Sequence, residues 1–164
     1  MTSTLNISKE VSKLLIARGW TLALAESCTG GLVSAALTNL AGSSDWFERG
    51  YITYSNQAKT ECLDVAAETI ESFGAVSEQV AKAMSEGAQK NAGVNISVSI
   101  TGIAGPAGGS IQKPVGTVCF GWTIQKENLA AITICKTMQF SGDRQAVREQ
   151  ARDYTLSELI KLLK

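Results

Sequence analysis

The sequence contains no histidine among its 164 residues. This absence excludes a serine, histidine and aspartate triad, a cysteine and histidine pair, and any metal site built on imidazole, whatever the fold. The four cysteines also lack a C-x-x-C pair or another spacing typical of zinc sites. We therefore expect no metal and no redox cofactor. If the chain were a hydrolase, its general base would have to be Lys, Asp, Glu or Tyr.

The chain also lacks an excess of charge of either sign, because 15 Lys and Arg balance 15 Asp and Glu. It therefore has no long-range field that would attract nucleic acid or an anionic membrane surface, and we expect it to bind neither. No apolar run approaches the roughly 20 residues that span a bilayer, and the N-terminal residues lack the continuous apolar core of a signal peptide. With two prolines and 45% hydrophobic residues, residues 1–164 are expected to form a single cytoplasmic globular domain.

Hydrophobic periodicity along the chain alternates between the patterns of helices and of strands. Strands are predicted at residues 20–24, 50–54, 95–101, 115–124 and 129–139. Helices are predicted at residues 7–18, 32–40, 64–73, from 77 onward and 143–163, with a further helix that begins near Lys59. Residues 125–128 favour a hairpin between the last two strands, and the antiparallel pairing of this hairpin would make the sheet mixed. The pattern therefore indicates an α/β fold.

The turn at residues 25–31 joins the first predicted strand to the helix that begins near Leu32. A sharp turn of this kind exposes its residues, and the free N–H groups of the helix start attract an anion or an oxyanion. Ser27 and Cys28 are therefore two candidate nucleophiles. The simpler interpretation is that Ser27 or Thr29 only caps the helix.

Three other functional candidates also follow predicted strands. Lys59 lies beyond the second strand, a glycine-rich loop at residues 102–110 follows the third, and Arg144 lies in the first turn of the last helix. Residues beyond strand ends in an open α/β sheet converge on one crevice, so these groups are expected near Ser27. The loop lacks the Gly-Lys-Ser/Thr of a P-loop but has bare N–H groups that can cradle a phosphate. The simpler interpretation of Lys59 and Arg144 is that both are solvated surface cations.

Seven ordered segments across the chain resemble the signature blocks of the CinA C-terminal domain family. They are AESCTGG (25–31), AGSSDWF (41–47), TYSNQAK (53–59), GAVS (74–77), TGIAGP (101–106), KPVGTV (113–118) and FSGDR (140–144). The resemblance implies a three-layer α/β/α sandwich with a mixed, mostly parallel sheet, in a chain that we expect to be a homo-oligomer. Stand-alone members of the family are nicotinamide-nucleotide amidohydrolases, which convert nicotinamide mononucleotide (NMN) and water to nicotinate mononucleotide and ammonia. The same activity is implied for this chain.

The resemblance also implies a catalytic dyad of Ser27 and Lys59. A lysine accepts a proton from serine only if its pKa falls far below about 10.4, so Lys59 is expected in a dry pocket. The helix start would hold the oxyanion, Tyr54 and Ser44 would orient or relay protons, and a glycine-loop clamp with Arg144 would bind the phosphate. The residues expected to contact substrate are Thr29, Gly30, Gly31, Ser44, Thr101, Gly102, Gly105 and Arg144.

Two other functions remain compatible with the sequence. The chain could be a nucleotide-binding module without catalysis, or an amidohydrolase that acts on another carboxamide nucleotide. The presence of both Ser27 and Lys59 favours an enzyme over a binding module, because burying a lysine costs stability that binding alone does not require.

Overall fold

The computed structural model describes residues 2–164, which form one five-stranded sheet with helices on both faces. The elements are α1 (Thr4–Arg18), β1 (Leu22–Glu26), α2 (Leu32–Thr38), β2 (Phe47–Ile52), α3 (Asn56–Leu63), α4 (Ala67–Phe73), α5 (Glu78–Ala92), β3 (Ile96–Gly102), β4 (Thr117–Ile124), β5 (Ile132–Gln139) and α6 (Arg144–Leu163). The strand order across the sheet is β2-β1-β3-β4-β5. Helices α1, α2 and α6 pack together on one face, whereas α3, α4 and α5 cover the other.

The predicted α/β/α sandwich and the mixed sheet are confirmed, but the sheet is less parallel than expected. β1 pairs in parallel with β2 and β3, whereas β4 pairs antiparallel with β3 and β5. A short hairpin joins β4 to β5, and residues 103–116 join β3 to β4 without a helix. Neither link contains the helical crossover that usually returns a chain to a parallel neighbour. Because β4 alone is reversed, the other four strands still point the same way.

All five strands differ from their predicted bounds by up to three residues, and in β1 and β2 the difference brings charged residues into the strand. β1 extends to Glu26, a charged residue that is nevertheless fully buried. β2 begins at Phe47 and includes the exposed Glu48 and Arg49. A sheet edge tolerates such charges because its outer side meets water, so charged residues do not exclude a strand there.

The alternation of polar and apolar residues in β3 predicts a strand, and the structure shows that both of its faces are buried. The polar residues face α5 and the preceding loop, where hydroxyl groups donate to backbone carbonyls. Ser97 donates to Ser85, Ser99 to Ala81 and Thr101 to Ala75. These bonds satisfy polar groups that would otherwise be costly to bury. In β3 the alternation therefore marks hydrogen bonding to α5 and the loop before it rather than exposure to water.

The terminal helix α6 crosses the sheet and brings its first turn to the carboxyl ends of the strands. Asp143 caps the helix by accepting from the Ala146 N–H, as the Asp at the predicted helix start suggests. Further along, Tyr154 packs against Phe120 and Phe140. α6 is charged along much of its length, and no helix within residues 2–164 combines the length and apolar character that a bilayer crossing requires.

Candidate active site

The carboxyl ends of the strands meet at a small cavity of about 190 Å³ beside Ser27. Ser27 follows β1 directly, and its N–H donates to the Ile100 carbonyl of β3. On the other side, Thr53 beyond β2 donates its N–H to the Glu26 carbonyl. Backbone bonds from both neighbouring strands therefore hold the start of the turn, and Ser27 extends from a rigid part of the sheet.

Lys59 reaches Ser27 from the first turn of α3. Its Nζ lies 3.0 Å from Ser27 Oγ, and the side chain is only 1% exposed. The same Nζ lies 3.0 Å from the Thr53 carbonyl oxygen and 3.2 Å from that of Tyr54. Ser55 caps α3 by accepting from the Ala58 N–H, which fixes where the helix begins. The short helix after β2 therefore delivers the lysine to the end of β1.

Burial lowers the pKa of Lys59 from its usual value of 10.5, because a charged ammonium loses its hydration there. The geometry suits the neutral amine. The two N–H groups of the amine can donate to the Thr53 and Tyr54 carbonyls. The lone pair of the nitrogen is then free to accept the Ser27 hydroxyl proton. This arrangement is what a serine nucleophile needs from its base.

Cys28, the other candidate nucleophile, is a buried thiol with a different environment. Burial raises its pKa to about 12. Because the thiolate is the reactive form of cysteine, a thiol with so high a pKa is inert near neutral pH. Its sulfur packs closely against Gly102, where an added Cβ would lie 3.0 Å from Sγ. The geometry therefore supports Ser27 as the nucleophile and a packing role for the Cys28 side chain.

The start of α2 is organised differently from the expectation that its N–H groups hold an oxyanion. The buried carboxylate of Glu26 accepts from the N–H groups of Val33 and Ser34, both at 3.0 Å, and from the Ser34 hydroxyl at 2.7 Å. The helix dipole is thereby compensated by a protein carboxylate. Ser27 and Thr29 do not cap this helix, since its N-cap is Gly31 and the first N–H groups of the helix donate to the Glu26 carboxylate instead.

The turn that carries Ser27 offers donors closer to the nucleophile. Gly30 N–H donates to the Ser27 carbonyl, which closes the turn, and the carbonyls of Cys28 and Thr29 accept from Arg148. Among residues 2–164, the N–H groups of Cys28 and Thr29 donate to no backbone carbonyl, and the Cys28 N–H lies close enough to its own sulfur to oppose part of the rise in the thiol pKa. Cys28 lines the cavity, so its N–H is the candidate donor to an oxyanion that forms beside Ser27.

Arg144 borders the cavity on the side of α6. Its guanidinium donates to the Gly105 carbonyl at 2.9 Å and to the Tyr54 hydroxyl at 2.8 Å. Both acceptors are neutral, so they orient the guanidinium without cancelling its charge. Arg144 also borders a neighbouring cavity of about 330 Å³ that Leu32 and Arg148 help to line. A cation therefore stands where the two cavities adjoin.

The structure brings together some of the predicted site residues and not others. The cavity is lined by the predicted residues Ser27, Tyr54, Lys59, Thr101, Gly102 and Arg144. Thr29, Gly30, Gly31 and Gly105 do not line the cavity, and Ser44 lies at the opposite, amino-terminal ends of the parallel strands. Ser44 precedes β2, and β2 runs parallel to β1, so the whole length of the strand separates it from Ser27.

Tyr54 occupies a different position from the one expected for a proton relay. Its hydroxyl bonds to Arg144 and the side chain is 59% exposed. The contact with Lys59 is made by the Tyr54 backbone carbonyl, which could not have been inferred from the residue type. The sequence interpretation also missed the lining residues Asn56, Ala75, Val76 and Ala104.

A larger cavity of about 620 Å³ lies elsewhere, beyond Val76, against the start of α5 and the strands β4 and β5. Neither Ser27 nor Lys59 lines it, so chemistry rather than volume identifies the reacting site. Within residues 2–164, no group of three or more Cys, Asp or Glu side chains lies close enough to hold a metal ion.

Comparisons with known proteins agree with this architecture. A sequence model of the CinA C-terminal domain matches residues 4–163. A protein named nicotinamide-nucleotide amidohydrolase PncC from Enterobacter agglomerans is 49% identical over 155 residues, which cover 94% of this chain and 92% of that protein. The protein of the same name from Escherichia coli strain K12 is 50% identical with the same coverage. A CinA-like protein of Syntrophobacter fumaroxidans is 50% identical over 157 residues, which make up only 36% of its length.

Solved structures support the same relationship. A CinA superfamily protein from Klebsiella pneumoniae superposes with a TM-score of 0.92 at 39% identity, covering 99% of this chain and 98% of that one. A competence or damage-inducible protein from Enterobacter asburiae gives a TM-score of 0.93 at 38% identity, with both chains fully covered. Family model, relatives and fold therefore agree with the resemblance of the signature blocks, and the chain belongs to the CinA C-terminal domain family.

Proposed function

We propose that this chain hydrolyses the carboxamide of NMN to nicotinate mononucleotide and ammonia, with Ser27 as nucleophile and Lys59 as general base. The observation that carries the proposal is the 3.0 Å contact between Ser27 Oγ and a lysine that is 1% exposed. The names of relatives that are about 50% identical over nearly the whole chain supply the substrate class.

In the first step, Lys59 takes the Ser27 proton while Oγ attacks the carboxamide carbon. A tetrahedral intermediate forms, and its oxyanion accepts from the N–H of Cys28. Lys59, now an ammonium, remains bonded to the Thr53 and Tyr54 carbonyls, which stabilise its temporary charge. The base is thus held in place in both of its protonation states.

In the second step, the ammonium of Lys59 passes its proton to the departing nitrogen, and ammonia leaves. An ester joins Ser27 to the nicotinate part of the nucleotide. The neutral lysine then removes a proton from a water molecule, which attacks the ester carbonyl and releases nicotinate mononucleotide. Ser27 recovers its proton from Lys59, so no external proton donor is needed.

The size of the cavity constrains how the nucleotide lies. A cavity of about 190 Å³ is smaller than the roughly 300–1,000 Å³ typical of ligand sites, so it suits the pyridine carboxamide rather than the whole nucleotide. The adjoining space beside Arg144 is the direction in which the ribose phosphate extends. Arg144, with neutral partners only, supplies the charge that pairs with the phosphate.

The binding-module alternative is less consistent with the site. A module that only bound nucleotide would gain nothing from a lysine buried against a serine hydroxyl. The substrate of the proposed reaction would connect the protein to pyridine nucleotide salvage. A cytoplasmic location and a homo-oligomeric state stay predictions from the sequence.

The nucleophile can be tested by a matched pair of variants. Ser27→Ala should lose on the order of 10³-fold or more in turnover while still binding NMN, because it removes the reacting atom and leaves the pocket intact. Cys28→Ala, at the next position of the same turn, should keep most of its turnover. Ammonia release and NMN binding measure the two effects. A normal rate in Ser27→Ala together with a dead Cys28→Ala would move the nucleophile to the thiol.

The dependence of the rate on pH tests whether Lys59 is the general base. Because burial lowers the pKa of Lys59, its neutral form becomes populated below the usual value of 10.5. Activity requires the neutral amine, so kcat/KM should rise with pH along a limb whose midpoint lies below 10.5 and then level off. Lys59→Arg should be inactive throughout, since a guanidinium stays protonated. A limb centred at or above 10.5 would contradict the role of a buried base.

The substrate and its phosphate can be tested together by ammonia release. NMN should be hydrolysed well, whereas nicotinamide, nicotinamide riboside and NAD should be poor substrates, because binding energy at the phosphate end positions the carboxamide. Arg144→Ala should lower kcat/KM on NMN by roughly 10- to 100-fold, as expected for a charged hydrogen bond worth about 1.5–3 kcal/mol.

The riboside is the control for this variant, since it has no phosphate to lose. Arg144→Ala should change its hydrolysis little. If the riboside were hydrolysed as fast as NMN, or if the variant slowed both equally, Arg144 would not be the phosphate ligand.

A further inference from the structure

Arg148, one helical turn beyond Arg144, contacts the turn that carries the nucleophile. Its Nε donates to the Cys28 carbonyl at 3.0 Å and its Nη2 to the Thr29 carbonyl at 3.3 Å. The side chain is half-buried, and no carboxylate among residues 2–164 pairs with it within 4.0 Å. A charged group is therefore committed to two backbone carbonyls rather than to an ion pair.

These contacts fix the orientation of the peptide groups around Cys28. A peptide is planar and trans, so its N–H points away from its carbonyl. The Ser27 carbonyl is held by Gly30 N–H, and the Cys28 carbonyl is held by Arg148. The two peptide planes on either side of Cys28 are thus both anchored on their carbonyl sides. The N–H groups of Cys28 and Thr29 face away from those anchors and donate to no backbone carbonyl within residues 2–164.

We propose that Arg148 is a positioning residue for the reaction: it holds the turn at residues 27–30 so that the Cys28 N–H is directed at the oxyanion. The inference rests on the proposed serine mechanism, because an oxyanion forms only if Ser27 attacks a carbonyl group. Arg148 does not itself touch the reacting atoms. It acts through the backbone that contains the nucleophile.

The charge of Arg148 adds a second contribution to the same effect. The bond from Arg148 to the Thr29 carbonyl polarises the peptide whose N–H belongs to Gly30. Gly30 N–H donates to the Ser27 carbonyl, and the N–H of that next peptide is the Cys28 N–H, so the polarisation reaches the proposed donor through two linked peptide groups. The charge also remains close to a turn on which negative charge develops during the reaction. Since no carboxylate within the described residues neutralises it, this positive potential is retained in the folded protein.

A different role for Arg148 would follow from its position beside Arg144. Both arginines line the cavity of about 330 Å³, so both could bind the substrate phosphate. The two roles make different predictions. A phosphate ligand affects NMN and not the riboside, whereas a positioning residue affects every substrate that Ser27 attacks and acts mainly on kcat.

The test compares Arg148→Met and Arg148→Lys with a matched control, Arg152→Met. Arg152 lies one turn further along α6 and bonds to Asp153 and Thr4, away from the cavity. Turnover is measured on NMN and on nicotinamide riboside, and thermal unfolding is followed for each variant. Binding of pyridine-3-boronic acid is measured by calorimetry without substrate. This probe bonds to Ser27 Oγ, whose proton passes to Lys59, and forms a tetrahedral boronate that needs the oxyanion donor.

Removing one oxyanion donor costs about 10²–10³ in kcat, and a misdirected donor should cost less. Arg148→Met is therefore expected to lower kcat by roughly 10- to 100-fold on both substrates with little change in KM. The boronic acid should bind more weakly by a comparable factor. Arg148→Lys, which keeps the charge but not the paired donors, should lie between wild type and Arg148→Met. Arg152→Met should keep the wild-type kcat.

Three results would overturn the proposal. They are a rise in KM on NMN alone with kcat retained, unchanged boronic acid binding in a folded Arg148 variant, and an equal loss of kcat in Arg152→Met. If Arg148→Met does not fold, the same measurements on Arg148→Lys test the proposal. Failure of the wild type to hydrolyse NMN would contradict the proposed substrate, while boronic acid binding would still judge the role of Arg148.

Discussion

The burial of a lysine beside a serine is the constraint on which the rest of the site depends. Lys59 can act as a base only where water is excluded, and its 1% exposure satisfies that condition. A buried amine must also have hydrogen-bond partners. The segment that follows β2 supplies them through the carbonyls of Thr53 and Tyr54. The parallel pairing of β1 with β2 then places these carbonyls next to Ser27. The contact between Ser27 and Lys59 therefore depends on both the order of the strands and the point at which α3 begins.

Glu26 is a second buried ionisable residue next to the site, and it occupies the start of α2. Glu26 binds the first N–H groups of α2, so the helix dipole is compensated inside the protein and is not available to substrate. In the proposed mechanism, anions are bound instead by the turn at residues 27–30 and by Arg144 of α6. Arg144 lines the cavity beside Ser27, whereas Arg148 bonds to the turn itself. Two cations one helical turn apart therefore have different partners, which accounts for their different proposed roles.

The sequence predicts the fold class and the central pair of residues because local patterns carry that information. Strand ends in an α/β sheet converge, and the signature blocks place Ser27 and Lys59 at two of those ends. In the structure, Lys59 Nζ lies 3.0 Å from Ser27 Oγ. The role of Glu26 could not be predicted in this way, because a carboxylate at a strand end reads as the start of a loop, whereas here it is fully buried under the next helix.

The positions of other residues could not be predicted because their contacts depend on tertiary geometry. Arg148 has the spacing of an ordinary surface cation, and only the packing of α6 across the sheet reveals its bonds to Cys28 and Thr29. Ser44 belongs to a signature block, yet six strand residues at roughly 3.3 Å each lie between it and the carboxyl edge. Sequence similarity indicates which segments matter, but not which end of a strand each one occupies.

The central claim is that Ser27 forms a covalent bond to the substrate, and the most direct measurement is the intact mass of the protein after rapid mixing with NMN and an acid quench. The account predicts a transient mass increase equal to nicotinate mononucleotide minus water, located on the peptide that contains Ser27 and absent from Ser27→Ala. Peptide mapping must place the adduct on the serine and not on Cys28. Ammonia release at a full rate with no adduct at any quench time, or an adduct carried by Cys28, would contradict the account.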